Sequence, residues 1–255
     1  MFNLTKRISA RTSLFALSFT ALGLLTAPNS AQAMNLVNHT NFTDTDFNSL
    51  IDNGQFSELF VAEGRIGNNN SRENYGEREL GINTATGANV EAGDFYWGDG
   101  TDPNTGYDFS LMYDGSKVTY KLGGQTLSSN DFGGSVNTIF LRTFAQKDRN
   151  NNSNNEVTLK DLVFNGESIG SLSSTGDKNK DVDYLQLTDI SAPFTLTGKT
   201  SMKWEGNNPM RSNLAFQIKV GNSSTPTSVP EPGTIGAIFV TGMTGLGLSK
   251  KKEKR

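Results

Sequence analysis

The chain has no cysteine, a single histidine and only two tryptophans in 255 residues. Without thiols there are neither disulfides nor thiolate metal sites, so the fold must hold by its core. A Ser-His-Asp triad or a multi-histidine zinc site would have to be built around His39 alone. His39 falls near the start of the exported region defined below, where order is usually poor, and it is read as a solvated polar residue. Basic charge is also scarce where it would matter. Three of the 23 basic residues lie in 1–33 and five after 229, while only Glu231 and Glu253 of the 26 acidic residues lie outside 34–229. That leaves 15 basic against 24 acidic residues, a net charge of −9. Such a surface repels nucleic acid phosphates and anionic headgroups, and favours cations or neutral polymers.

The two ends of the chain carry patterned segments. Lys6, Arg7 and Arg11 form a positive n-region, residues 14–25 an apolar stretch, and Ala31-Gln32-Ala33 an A-x-A cleavage site, so 1–33 reads as a signal peptide cut after Ala33 by signal peptidase. At the other end Pro230-Glu231-Pro232 precedes sixteen uncharged residues, 233–248, and a basic run ending at Arg255. As a helix the apolar span reaches about 24 Å, slightly less than a bilayer core of about 30 Å. The basic run would stay on the cytoplasmic side and leave the preceding chain outside. This three-part pattern resembles the PEP-CTERM sorting signal, which implies processing at Pro230-Glu231-Pro232 by an exosortase-type enzyme. Its Gly/Thr-containing span and lysine-rich end resemble a cyanobacterial variant.

Between these segments the pattern is that of one all-β domain, 34–221, followed by a linker, 222–229, and the sorting and anchor segment, 230–255. A single helix is expected at 41–54: Thr43 or Asp44 can cap it, Phe47, Leu50 and Ile51 share a face, and Gly54 suits a left-handed C-terminal cap. It is expected to close one end of a sandwich. Strands are expected at 56–62, 79–83, 94–97, 136–145, 156–164, 167–172, 182–187, 194–204 and 214–220, with 63–79 as a polar surface loop. Residues 107–124 hold two alternating strands about Asp114-Gly115, and Asn165-Gly166 marks a second hairpin. In 136–145 both faces are apolar, so the strand should be interior, and Arg142 should find a carboxylate or an aromatic face. Many short strands with glycine-rich turns define a single antiparallel β-sandwich, with a jelly roll as one form it can take.

Residues 58–69 and 214–221 resemble the signatures near the two ends of a choice-of-anchor domain of the W type, an exported module found before different anchoring signals. That resemblance implies no activity and no site residues.

Three chemistries follow from the residue types. Asp177, Asn179, Asp181 and Asp183 have the alternate spacing of an oxygen-rich Ca²⁺ loop, but Val182 stands where an EF-hand has Gly and Thr188 where it has a bidentate Glu. An irregular calcium site remains, with Asp99, Asp102 and Asp108 as a second option. Tyr96, Trp97, Tyr113, Tyr120 and Trp204 are available as a platform for extracellular polysaccharide, Trp97 and Trp204 foremost. No carboxylate pair stands out for glycoside hydrolysis, and a non-enzymatic surface or matrix protein is expected. Its alternative is a carbohydrate-binding module with structural calcium.

Overall fold

The computed structural model describes residues 34–66, 79–98, 106–147, 152–176 and 180–224. In chain order the elements are β1 Asn35–His39, α1 Asp44–Asp52, β2 Phe56–Ile66, β3 Leu80–Thr84, β4 Asn89–Gly93, β5 Tyr107–Tyr113, β6 Val118–Leu122, β7 Gln125–Ser129, β8 Thr138–Ala145, β9 Asn152–Phe164, β10 Glu167–Thr175, β11 Asp181–Thr188, β12 Phe194–Gly206 and β13 Leu214–Ser223. They form two sheets, a seven-stranded one in the order β1-β11-β8-β13-β2-β3-β4 and a six-stranded one in the order β10-β9-β12-β5-β6-β7. Every pairing is antiparallel. The expected all-β sandwich is present.

Period-2 alternation decides which side chains meet. In β13, Leu214, Phe216, Ile218 and Val220 join the main core, while Gln217 and Lys219 between them are half-buried on the other face. In β12 of the other sheet, Leu196, Met202 and Trp204 join the same core, with Leu111 of neighbouring β5 and Leu159 of neighbouring β9. One apolar layer thus lies between the sheets, and each fully buried Leu or Phe in it contributes about 1.5–3 kcal/mol. Gly198 of β12 is held by that layer: a Cβ there would stand 2.9 Å from both Leu162 and Phe109.

Both hairpins form. β5 and β6 turn at Asp114-Gly115, where the Asp114 carboxylate accepts from the backbone N–H of Ser116 and Lys117 at 2.9 and 2.7 Å. β9 and β10 are joined by Asn165 and Gly166 alone, both with positive φ (48° and 89°), the backbone that a two-residue turn between twisted strands needs.

The helix forms where expected but sits elsewhere. Thr43 and Asp46 make a reciprocal capping box, and Gly54 at φ 67° completes a Schellman end, with Gln55 N–H on the Leu50 carbonyl at 2.8 Å and Gly54 N–H on Ile51 at 2.9 Å. Phe47 is buried against Phe56, Phe140 and Tyr184. Phe140 and Tyr184 alternate with Leu141 and Leu185 of the main core, so they project from the outer face of the seven-stranded sheet. The helix therefore covers that face and does not close an end of the sandwich. Of its stripe only Phe47 is fully buried; Ile51 is exposed.

Other boundaries move too. β2 runs on to Ile66 because β13 pairs with it as far as Leu214, and the strand expected at 94–97 is β4 at Asn89–Gly93 instead. β1 and β7 were not expected. His39 is no solvated tail residue: it ends β1, its Nε2 lies 2.8 Å from Gln186 Oε1, and its ring packs 4.5 Å from Phe42. β13 takes Asn222 and Ser223 from the expected linker. Residues 1–33, 67–78 and 225–255, with the signal peptide, most of the polar loop and the sorting segment, lie outside the described residues. Among the described residues no helix is long and apolar enough to cross a membrane.

Candidate functional site

Two polar constellations stand out, one on the outer face of each sheet. The first is built on Arg142 of β8, which alternation turns out of the core between Phe140 and Phe144. Its Nε and Nη2 donate to Asp44 Oδ1 and Oδ2 at 2.7 and 2.8 Å, and its guanidinium lies 4.9 Å from the centre of the Phe144 ring. Arg142 thus has both kinds of partner that its surroundings call for. The Tyr184 hydroxyl donates to Asp44 Oδ1 at 2.8 Å, and Lys180 Nζ lies 3.7 Å from Oδ2. Burial pushes the Asp44 carboxyl up, but the Arg142 hydrogen bonds and charge, with Tyr184 and Lys180, outweigh it and hold the pKa down at about 2. Burial raises the Tyr184 phenol well above its ordinary value. Both oxygens of Asp44 are engaged, and the cluster fastens α1 to the sheet.

The second is a shallow hollow of about 160 Å³ on the six-stranded sheet, lined by Glu156, Thr158 and Lys160 of β9 and Ser201 and Lys203 of β12. The alternation that buries Val157, Leu159, Met202 and Trp204 turns these five outward. Register sets Glu156 opposite Lys203, Thr158 opposite Ser201 and Lys160 opposite Lys199. Glu156 Oε1 accepts from the Thr158 hydroxyl at 3.1 Å, and Lys199 is taken by Asp108 at 2.6 Å. Neither Lys160 nor Lys203 makes an ion pair among the described residues. The hollow can offer two ammonium groups, one carboxylate and two hydroxyls to a polar ligand.

The aromatic platform is corrected. Trp97 and Trp204 are 4% and 1% exposed; Trp97 packs on Phe95 and Tyr107 and donates its indole N–H to the Arg65 carbonyl at 2.8 Å. Neither ring presents a face to a sugar: the alternation of β12 turns Trp204 inward, and Trp97 is buried from the extended segment after β4. Tyr113 and Tyr120 are buried as well, and only Tyr96 is exposed, at 54%.

Of the calcium candidates, Asp177 and Asn179 lie outside the described residues, as do Asp99 and Asp102. Asp181 Oδ2 accepts from Thr175 N–H at 2.7 Å and Asp183 Oδ2 from the Ser174 hydroxyl at 3.2 Å, so both carboxylates tie β11 to the end of β10. Burial and then the Asp181 charge raise the Asp183 pKa. Among the described residues no three His, Cys, Asp or Glu side chains converge on a metal position. Asp108 serves Lys199. The processing residues Ala33, Pro230, Glu231 and Pro232 are outside the described residues.

Sequence reasoning missed the hollow because its two strands are far apart in the chain. The only signal was the polar residues at alternate positions, Glu156, Thr158 and Lys160 and then Lys199, Ser201 and Lys203. No protein-family model matches the chain, and no curated protein matches it.

Proposed function

We propose that the chain is a non-enzymatic protein of the bacterial envelope or extracellular matrix, exported through its N-terminal signal and sorted through Pro230-Glu231-Pro232 and the apolar span behind it. What supports this best is the fit of both motifs to the edges of the fold. Cleavage after Ala33 would leave one residue, Met34, before β1, a strand hydrogen-bonded to β11 along its whole length. The sorting motif begins beyond Ser223, the last residue of β13. Cuts at both places leave every strand and every core residue among the described residues intact. Pro232 has no amide hydrogen and keeps its neighbour extended, so the motif is suited to a membrane-embedded peptidase. The sandwich is then the cargo that the two signals deliver.

Mass spectrometry of the protein from the envelope and matrix fractions of its native host tests this. A mature N-terminus at Met34 and loss of the residues behind Pro230-Glu231-Pro232 are expected. An intact C-terminus through Arg255 in the envelope fraction would leave simple anchoring as the better account.

A further inference from the structure

We infer that the hollow on β9 and β12 is a binding site for a sparsely charged acidic polysaccharide, a chain of sugar hydroxyls with carboxylates set at intervals. The inference goes beyond the sorting proposal and stands without it, because it rests on the side chains of one sheet face.

Lys160 lies directly across from Lys199, a like-charged cross-strand pair that a sheet ordinarily avoids. Asp108 relieves only one side of it, holding Lys199 at 2.6 Å. Among the described residues half-buried Lys160 makes no ion pair, and Lys203, although set opposite Glu156, makes none either. Two half-buried ammonium groups on one face thus make no ion pair among the described residues, and one carboxylate, Glu156, lines the hollow with them, in a domain that carries nine more acidic than basic residues. Carboxylates brought by a ligand complete them.

The remaining lining residues narrow the ligand. Thr158 and Ser201, paired in register between the two lysines, can each donate and accept, and Glu156 accepts, which suits neutral hydroxyls. Lys160 and the residue opposite Lys203 are four apart on β9, about 13 Å at 3.3 Å per residue, so the cations are spaced and not clustered. A nucleic acid or polyphosphate would bring dense negative charge against Glu156, Asp108 and the acidic remainder of the domain. A polyuronate brings fewer charges, with hydroxyls between them.

The full-length chain, purified in detergent, is titrated at low salt with polygalacturonate, with its fully methyl-esterified form and with single-stranded DNA. Binding of polygalacturonate alone is expected. K160Q/K203Q should weaken it roughly tenfold at unchanged melting temperature, the size of two partly exposed ion contacts. K160R/K203R should retain it, and so should K117Q/K147Q, which removes equal charge from exposed lysines outside the hollow. Failure of polygalacturonate to bind, equal binding of the ester or DNA, or equal weakening by K160Q/K203Q and K117Q/K147Q would overturn the inference. None of these outcomes touches the processing of the termini.

Discussion

Asp44 and Arg142, 98 positions apart in the chain, are joined by two parallel hydrogen bonds of 2.7 and 2.8 Å. One residue opens the only helix among the described residues and the other lies in the middle of a seven-stranded sheet, so this pair settles where the helix rests. The fork of the guanidinium matches the carboxylate in geometry as well as charge, which a lysine could not do.

Removing either partner should therefore cost more than a surface ion pair. Arg142→Met and Asp44→Asn are each expected to lower unfolding free energy by about 2 kcal/mol, less than the 3–5 kcal/mol of a fully buried pair because Asp44 retains some solvent contact. The double variant should lose much less than the sum. Urea denaturation of the four proteins measures this, and strict additivity would show that the two side chains act independently.

The same carboxylate should shape the acid limb of stability. The Asp44 pKa is about 2 in the fold against an ordinary value of 3.8, so its contribution is present above pH 4 and is lost as pH falls toward 2. Asp183 has the opposite sign: its raised pKa means the folded domain binds that proton more tightly, so its charge costs stability at neutral pH and the cost fades as pH falls. Melting curves across pH 2–7 are expected to show a shallower acid limb for Asp44→Asn. Asp183→Asn should be slightly more stable than the parent at pH 7, since Asn can still accept from Ser174. A steeper acid limb in Asp44→Asn would contradict the assignment.

Gly198 should not tolerate even one methyl group. Leu162 and Phe109 stand 2.9 Å from the place its Cβ would take, and the Lys160 carbonyl stands at 3.1 Å. Gly198→Ala is expected to cost about 1–3 kcal/mol through overpacking, while Gly124→Ala, with nothing within 4 Å, should leave the midpoint of a urea titration unmoved.

What the residues revealed beforehand follows from the range of the interactions involved. The hairpins were legible because Asp114-Gly115 and Asn165-Gly166 carry their turn chemistry locally. The β13 faces were legible because strict alternation between Leu214 and Val220 admits one orientation. Arg142 announced the kind of partner it needed through the phenylalanines beside it. The place of α1 was not legible: the stripe of Phe47 says that one face is apolar and nothing about which surface receives it. Phe95, Tyr96 and Trp97 do alternate between buried and exposed, yet they form no strand, because burial has that period in any extended segment packed on a core. The hollow depends on the register of Thr158 against Ser201, which the pairing of β9 with β12 creates and neither segment contains.

The last strand of the domain is a middle strand of its sheet. β13 lies between β8 and β2, and without it the other six strands divide into β1-β11-β8 and β2-β3-β4, two ribbons with no strand pairing between them. Phe56 finds its backbone partner only when Ser223 arrives. Synthesis must therefore reach residue 223 before the keystone can be set. A stop codon before Leu214 would leave two unclosed sheet edges where β13 belongs.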